Sequence, residues 1–174
     1  MLEQLLQPID PFRWAAQGFS WQSEIALSYF ERLACYLSNT SAKINVCLRF
    51  DKDLQGIYFI EGQVTGILTL QCQRCMENML YPVDAEFRLA LFESEQAADA
   101  AALESYESIV VEERQLVSLD IIEDELILSL PVVALHPLKE CTVPAYDSSD
   151  EVDFQAEKRP NPFAVLESLK KKNT

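Results

Sequence analysis

The residue types best suited to chemistry in this sequence are two cysteines, Cys72 and Cys75, in the stretch LQCQRCM. They directly follow an alternating run of apolar residues, a pattern typical of a β-strand. Two thiolates at this spacing can face one metal ion, so the motif supplies half of a tetrahedral zinc site. The stretch LHPLKEC supplies the other candidate ligands, Cys141 and His136, which is the only histidine in the chain. The sequence therefore offers a Cys₃His zinc site.

Two other interpretations of these cysteines stay open. A C-x-x-C pair also forms the dithiol of thioredoxin-like redox proteins, and buried thiols can be chemically inert. Zinc knuckles commonly carry a glycine at the turn, whereas QRCM has none. No βαβ pattern accompanies the motif, which weakens the redox interpretation. The total of five cysteines without a secretory context indicates reduced thiols, and Cys35 and Cys47 are interpreted as ordinary small residues.

The sequence contains no recognisable catalytic motif. A nucleophilic serine or cysteine needs a base, and His136 is the only imidazole that can provide one. A G-x-S-x-G motif is absent, and four glycines leave little scope for a phosphate-binding loop. The consecutive carboxylates Glu123, Asp124 and Glu125 would spread around a helix, so they are interpreted as a solvated face. We therefore expect a protein that is not an enzyme.

The charge of the chain limits the class of partner that it can bind. The formal net charge is −14, and thirteen acids lie between Asp84 and Glu125 with only Arg88 and Arg114 among them. Such a surface repels phosphate, so basic partners suit it better than nucleic acid does. Net charge of either sign also serves solubility alone. No apolar run approaches the ~18 to 20 residues that span a bilayer and no leader-like segment opens the sequence, so we expect a cytoplasmic protein without membrane contact.

The elements that would position the candidate ligands predict an α+β fold. From Ser23 to Leu37 apolar residues recur at threes and fours, which predicts a first helix with Ser23 as its N-cap. Between Lys43 and Glu93 the apolar residues alternate, which predicts an antiparallel, curved or partly barrel-like β-sheet. The segments DKDLQG and EGQ are predicted to be turns between its strands.

A second main helix is predicted after this sheet. The stretch SEQAADAAALES first predicts a weak surface helix, and a last strand is predicted from Ser108 to Glu112. The second helix then begins with Ser118 as its cap, carries Asp120 in its first turn and is stopped by Pro131. Its apolar face consists of Leu119, Ile122, Leu126 and Leu130. We thus expect a sheet packed with two main helices.

The C-terminal part is predicted to lie outside the domain formed by residues 1–144. Residues 145–159 are polar and acidic, which predicts a flexible linker. Residues 160–174 predict a short C-terminal docking helix whose terminal lysines complement the helix dipole. Such a short helix is marginal alone, so it needs a surface on this domain or on a partner. The candidate partner-binding residues are Asn161, Pro162, Phe163, Leu166, Leu169, Lys170, Lys171 and Lys172.

Three stretches carry a family resemblance: CQRC at Cys72–Cys75, EDELILSLPVVALH at Glu123–His136 and PNPFAVLESLKKK at Pro160–Lys172. They closely resemble the bacterial large ribosomal RNA subunit accumulation protein family, known as YceD, and occur in the same order. The resemblance implies a non-enzymatic cytoplasmic protein needed for accumulation of 23S rRNA and hence for large-subunit assembly. Many family members have more cysteines in the stretch that would supply the second pair of metal ligands, where this chain has His136 and Cys141.

The charge and the resemblance together favour one functional hypothesis. An acidic body is suited to binding a basic large-subunit ribosomal protein before that protein reaches RNA, or to binding a pre-ribosomal particle. In one alternative, Lys158, Arg159 and Lys170–Lys172 contact RNA directly. In another, Cys72 and Cys75 make this a zinc or redox protein.

Overall fold

The fold is built around a meander of antiparallel strands. The structure is a computed structural model, and it describes residues 5–101 and 106–141. In these ranges one sheet contains β1 (Ser20–Ala26), β2 (Lys43–Lys52), β3 (Tyr58–Gln71), β4 (Asn78–Phe92) and β5 (Glu107–Val110), in that spatial order. The first four strands pair antiparallel, whereas β5 runs parallel to β4. The sheet is therefore open, with β1 and β5 at its two edges, and it does not close into a barrel.

The helices of the described ranges are short except for one. They are α1 (Pro11–Ala16), α2 (Glu31–Ala34), α3 (Glu95–Ala100) and α4 (Ser118–Ser129). The Asp10 side chain caps α1 by accepting a hydrogen bond from the backbone N–H of Arg13, and Ser94 caps α3 through Ala97. None of the helices in these ranges is long and apolar enough to span a bilayer. The predicted weak helix is confirmed at α3, but the prediction of two main helices is wrong, because α4 is the only long helix within residues 5–101 and 106–141.

The predicted strand alternation is confirmed where the sheet faces its core. In β2 the residues Ile44, Val46, Leu48 and Phe50 are buried and those between them face outward. Cys47 belongs to the outward set, as its position in the alternation predicts. Ile122 and Leu126 of α4 are fully buried in the same core cluster. The core therefore lies between the inner face of the sheet and α4.

The predicted turn at EGQ is wrong, because β3 continues through it. Gly62 lies opposite Phe87 of β4, and a Cβ atom at Gly62 would overlap the Phe87 ring. The glycine is thus needed for a close approach of an aromatic ring on the inner face of the sheet. Most of the other predicted turn, DKDLQG, lies between β2 and β3, although its first two residues, Asp51 and Lys52, still belong to β2.

The predicted first helix from Ser23 to Leu37 is also wrong over most of its length. Its first part lies in β1, where Trp21 pairs with Leu48 and Ile25 with Ile44 of β2. This pairing buries Trp21 and Ile25 while it satisfies the backbone, and the tertiary gain overrides the local helical pattern. Only α2, four residues long, is α-helical within the stretch. The apolar positions were nevertheless correct as core positions, since Phe30 and Leu33 are fully buried.

A buried carboxylate joins α2 to α4. Glu123 Oε1 accepts hydrogen bonds from the backbone N–H groups of Arg32 (2.7 Å) and Leu33 (2.9 Å), and Oε2 accepts one from Arg32 Nε (2.8 Å). No side chain at the preceding Phe30 caps α2, so Glu123 satisfies N–H groups that a helix start leaves unpaired. Glu123 is only 6% exposed, so the interpretation of this acid as part of a solvated face is wrong, whereas Asp124 is exposed.

Two further predictions about the last helix need correction. Ser118 is not its N-cap, because Val117 occupies that position and the Ser118 hydroxyl is buried without a hydrogen-bond partner among the described residues. The last strand lies at Glu107–Val110, slightly earlier than predicted. Asp120 does lie in the first turn of α4, as predicted. The linker at 145–159 and the helix at 160–174 lie outside the described residues, so both stay predictions.

Replacement of Glu123 by alanine should destabilise the fold far more than replacement of its neighbour Asp124. Glu123→Ala leaves two N–H groups of α2 without their acceptor and should lower the free energy of unfolding by about 2–3 kcal/mol. Asp124→Ala removes an exposed ion pair with Arg32 and should cost less than about 1 kcal/mol. Urea denaturation of both variants measures the difference, and equal losses would contradict the capping role of Glu123.

Candidate metal centre

The four predicted ligands, Cys72, Cys75, His136 and Cys141, meet at one end of the sheet. Cys72 and Cys75 lie in the turn between β3 and β4, and the other two lie in the segment after α4. The Sγ atoms of the cysteines and one ring nitrogen of the histidine all lie within 4.8 Å of one another. Cys72 is fully buried, and the other three residues are half-buried.

The β3–β4 turn holds its two cysteines through a network of backbone hydrogen bonds. The Cys72 N–H donates to the Glu77 carbonyl (2.9 Å), and the Met76 N–H donates to the Cys72 carbonyl (2.8 Å). Met76 has a φ of 61°, in the left-handed region that favours glycine. The turn therefore contains the left-handed position that is commonly glycine in a zinc knuckle, but in this chain the residue at that position is methionine.

The segment after α4 is joined to this turn by main-chain contacts. The Gln73 N–H donates to the Ala134 carbonyl (2.9 Å), and the His136 N–H donates to Cys72 Sγ at 3.4 Å. These two bonds bring residues that are more than sixty positions apart in the sequence into register. The segment is thus fixed directly beside the thiols.

The histidine ring is oriented by contacts at both of its nitrogens. Nε2 lies 3.2 Å from the backbone carbonyl of Asn78, and Nδ1 lies 3.3 Å from Cys75 Sγ. A carbonyl oxygen can only accept, so Nε2 carries a hydrogen and Nδ1 is the ring nitrogen that faces the cluster and can bind a metal ion. Such an outer hydrogen bond fixes the tautomer that a metal ligand needs.

The surroundings of the thiols favour their ionised forms. Burial opposes ionisation of Cys72, but the backbone N–H groups of Cys75, His136 and Arg74 outweigh it and lower its pKa to about 5. The backbone N–H of Glu77 lowers the pKa of Cys75 in the same way. The Cys75 side chain in turn raises the pKa of His136, because the thiolate attracts the imidazolium. The thiolate is the form that binds metal ions.

The donor set and its spacing fit a zinc ion. Zinc–sulfur bonds of about 2.3 Å and zinc–nitrogen bonds of about 2.0–2.1 Å place the ligand atoms of a tetrahedron roughly 3.4–3.8 Å apart. The separations here, up to 4.8 Å, need only a small contraction to reach these values. Thiolate and imidazole are also the ligands that zinc prefers. Four protein ligands leave no open coordination position, which is the arrangement of structural rather than catalytic zinc sites.

Not every cysteine takes part in the cluster. Cys35 follows α2 and Cys47 lies on the outward face of β2, and both are exposed, as expected for residues without a metal role. The candidate partner-binding residues between Asn161 and Lys172 lie outside the described residues. Sequence reasoning missed the contributions of Met76 and Asn78, because both act through backbone geometry, for which the side chain carries no signal.

The four clustered residues lie in a part of the chain that matches a known family. A family model described as "Large ribosomal RNA subunit accumulation protein YceD" matches residues 60–170, a range that includes all four clustered residues. This chain belongs to the YceD family. A Haemophilus influenzae protein with the same name, Large ribosomal RNA subunit accumulation protein YceD, is 34% identical over 166 residues, which cover 94% of this chain and 95% of that protein. No solved structure matches this YceD-family chain.

Replacement of Cys75 by serine should abolish zinc binding, whereas the same replacement at exposed Cys47 should not. The wild-type chain and Cys47→Ser, purified under reducing conditions, should each contain about one zinc ion per chain by mass spectrometry of the metal content. The Cys75→Ser variant should contain almost none, because it lacks one of the clustered thiolates. A wild-type protein that takes up no zinc even after incubation with the metal would contradict the site.

Replacement of Met76 by glycine should stabilise the protein. Relief of the left-handed conformation gains about 1–2 kcal/mol, which exceeds the entropic cost of about 0.5–1 kcal/mol that glycine adds. Met76→Ala is the matched control, because alanine removes the long side chain but keeps the Cβ atom. Thermal unfolding should give a higher midpoint for Met76→Gly than for Met76→Ala, and the reverse order would contradict the strain at this position.

Proposed function

We propose that this protein is a non-enzymatic, cytoplasmic factor that supports the accumulation of 23S rRNA and the assembly of the large ribosomal subunit. The observation that carries the proposal is the family match, because the similarity to the Haemophilus influenzae relative covers 94% of this chain. The only histidine of the chain, His136, belongs to the cluster of four candidate ligands, and as a metal ligand its Nδ1 would not be available to act as a general base. This arrangement supports the non-enzymatic part of the proposal.

The protein acts by binding a basic large-subunit ribosomal protein or a pre-ribosomal particle. This proposal is supported by the distribution of charge on the described residues. Many of their cations already form ion pairs: Arg32 with Glu123 and Asp124, Lys43 with Glu24, Arg49 with Asp51 and Glu61, Arg88 with Glu61, and Arg114 with Asp10 and Glu93. The acids exceed the bases, as the net charge of −14 requires. The remaining carboxylates favour lysine-rich and arginine-rich surfaces and repel phosphate.

A zinc ion bound by the four clustered residues has a structural role in this function. Such an ion would crosslink the β3–β4 turn to the segment after α4 and would stabilise the end of the domain at which the two meet. A zinc ion bound here would occupy both thiolates of the C-x-x-C motif, which disfavours the redox alternative. Thiol titration distinguishes the two, since Cys72 and Cys75 of the zinc-loaded protein should react slowly with thiol reagents and a fast reaction would favour a redox dithiol.

The alternative function is direct RNA binding through the C-terminal residues. Lys158, Arg159 and Lys170–Lys172 would contact phosphates in that case, and the linker at 145–159 would separate them from the acidic body. The acidic body argues against RNA as the main partner. The helix at 160–174 would instead dock on a protein surface through Phe163, Leu166 and Leu169.

Cells that lack the gene should contain less 23S rRNA relative to 16S rRNA, and a copy of the wild-type gene should restore the ratio. The Cys47→Ser variant should also restore it, whereas Cys75→Ser should restore it poorly because the metal centre is disrupted. Quantification of both rRNAs in exponentially growing cells measures the effect. An unchanged ratio in the deletion strain would refute the proposed function.

The partner should remain bound after ribonuclease treatment. Purification of the tagged full chain at low salt should recover a basic large-subunit protein or a pre-ribosomal particle, and added salt should weaken the contact because it is electrostatic. If ribonuclease removes every partner, and replacement of Lys158, Arg159 and Lys170–Lys172 by glutamine removes RNA binding, the direct RNA alternative is correct instead.

A further inference from the structure

An apolar groove lies between the C-terminal end of α4 and the segment that leads to the metal centre. Its cavity volume is about 560 Å³, which is in the range of sites that hold a ligand or a few side chains. The apolar side chains that line it include Tyr36, Leu70, Ile127, Leu128, Val132 and Ala134. None of its lining residues carries a charge. We call this feature the α4 groove.

The α4 groove exposes large apolar side chains that a soluble protein normally buries. Leu128 is 75% exposed, Val132 is 97% exposed and Tyr36 is 58% exposed. Val133 and Leu138, in the segment that leads to and through the metal centre, are exposed as well. Single exposed apolar residues are ordinary, but a group of them around one groove marks an interaction site.

The walls of the α4 groove are fixed by hydrogen bonds on both sides. The Tyr81 hydroxyl donates to the Ser129 carbonyl (3.1 Å), which anchors the end of α4 to β4. The bond from the Gln73 N–H to the Ala134 carbonyl anchors the opposite wall to the β3–β4 turn. A groove held in this way needs little rearrangement to receive an occupant, and preorganisation of this kind favours binding.

The charges beside the α4 groove select a basic occupant. Asp120, Asp124 and Leu128 are four positions apart along α4, so they form one exposed stripe that leads to the groove. The last turn of α4 contains no basic residue, so the negative end of its dipole is uncompensated by its own helix. Arg32 is the cation paired with Asp124, and the same guanidinium also binds buried Glu123. Along α4 the exposed charges that lead to the groove are therefore acidic, and Arg32 offsets one of them.

We propose that the α4 groove docks a segment of a partner protein that is apolar on one side and rich in lysine or arginine on the other. The inference rests on the proposed function, in which a basic ribosomal protein is the partner. RNA fits poorly, because phosphates meet carboxylates and an uncharged apolar lining. A second copy of this chain fits poorly as well, because two copies that each carry a charge of −14 repel one another.

Synthetic peptides test the chemistry of the occupant directly. The probe is a helical peptide with leucines on one face and lysines on the other, and its twin has glutamate in place of every lysine. The full chain should bind the lysine peptide in a fluorescence anisotropy titration and should bind the glutamate peptide at least about tenfold more weakly. Equal binding of the two peptides would overturn the assignment of a basic occupant.

Matched variants separate docking in the groove from general charge attraction. Leu128→Glu and Val132→Glu place a charge on the apolar lining and should weaken binding of the lysine peptide about tenfold or more. Leu54→Glu is the control, because Leu54 is fully exposed in the β2–β3 turn, away from the groove lining. All three changes add the same negative charge, so attraction by net charge alone would strengthen binding in each. Undiminished binding by the two groove variants would overturn the proposal.

Other occupants give different outcomes. A photocrosslinking amino acid at Val132 of the full chain in growing cells should link to a lysine-rich or arginine-rich protein. Crosslinks only to a second copy, or only to another part of the same chain, would overturn the proposal. So would a dimer in analytical ultracentrifugation that Leu128→Glu dissociates.

The deletion strain distinguishes a failure of this inference from a failure of the proposed function. Leu54→Glu should restore the ratio of 23S to 16S rRNA, whereas Leu128→Glu combined with Val132→Glu should not. Full restoration by the double variant would refute the role of the groove and leave the proposed function intact. No loss of 23S rRNA in the deletion strain would refute the proposed function whatever the groove binds.

Discussion

The β3–β4 pairing runs without interruption from Phe59 opposite Ala90 to Gln71 opposite Asn78. At about 3.3 Å per residue, a ladder of this length extends over roughly 40 Å, and most of the described structure is attached to it. One end carries β5, and the other ends in the turn that holds the thiols. A register slip of one residue would turn Phe87 to the outward face and displace that turn relative to α4. The core and the cluster of candidate metal ligands therefore depend on the same register.

Several parts of this arrangement could be predicted from local sequence. The alternation of apolar residues from Ile44 to Phe50 fits a strand with one buried face, and β2 is such a strand. Cys72 and Cys75 were correctly expected to lie directly after a strand, because they follow its apolar alternation. His136 and Cys141 could be joined to them because the chain has few other residues of the kind that bind zinc. The family resemblance pointed to the same residues, because two of the stretches that carry it contain Cys72, Cys75 and His136.

Other parts depend on partners that are distant in sequence, which local patterns do not record. Ile25 and Leu33 fit one face of a helix, yet pairing with β2 makes the first of them part of a strand. Glu123 appears within a run of acids that is typical of a solvated face, and only the N–H groups of α2, about ninety positions away, make its burial favourable. The left-handed conformation of Met76 is also absent from the local pattern, because the turn imposes it against the preference of the residue.

The separation of the two halves of the metal centre also sets an order of events during synthesis. Cys141 follows Cys75 by sixty-six positions, so at about 5–20 residues per second the ribosome adds it roughly 3–13 s later. During that interval the nascent chain can complete its four-stranded meander, but it contains only two of the four clustered residues, Cys72 and Cys75. A thiol pair alone holds zinc weakly and is open to oxidation, so the cell must keep the unfinished chain reduced until the last two ligands emerge.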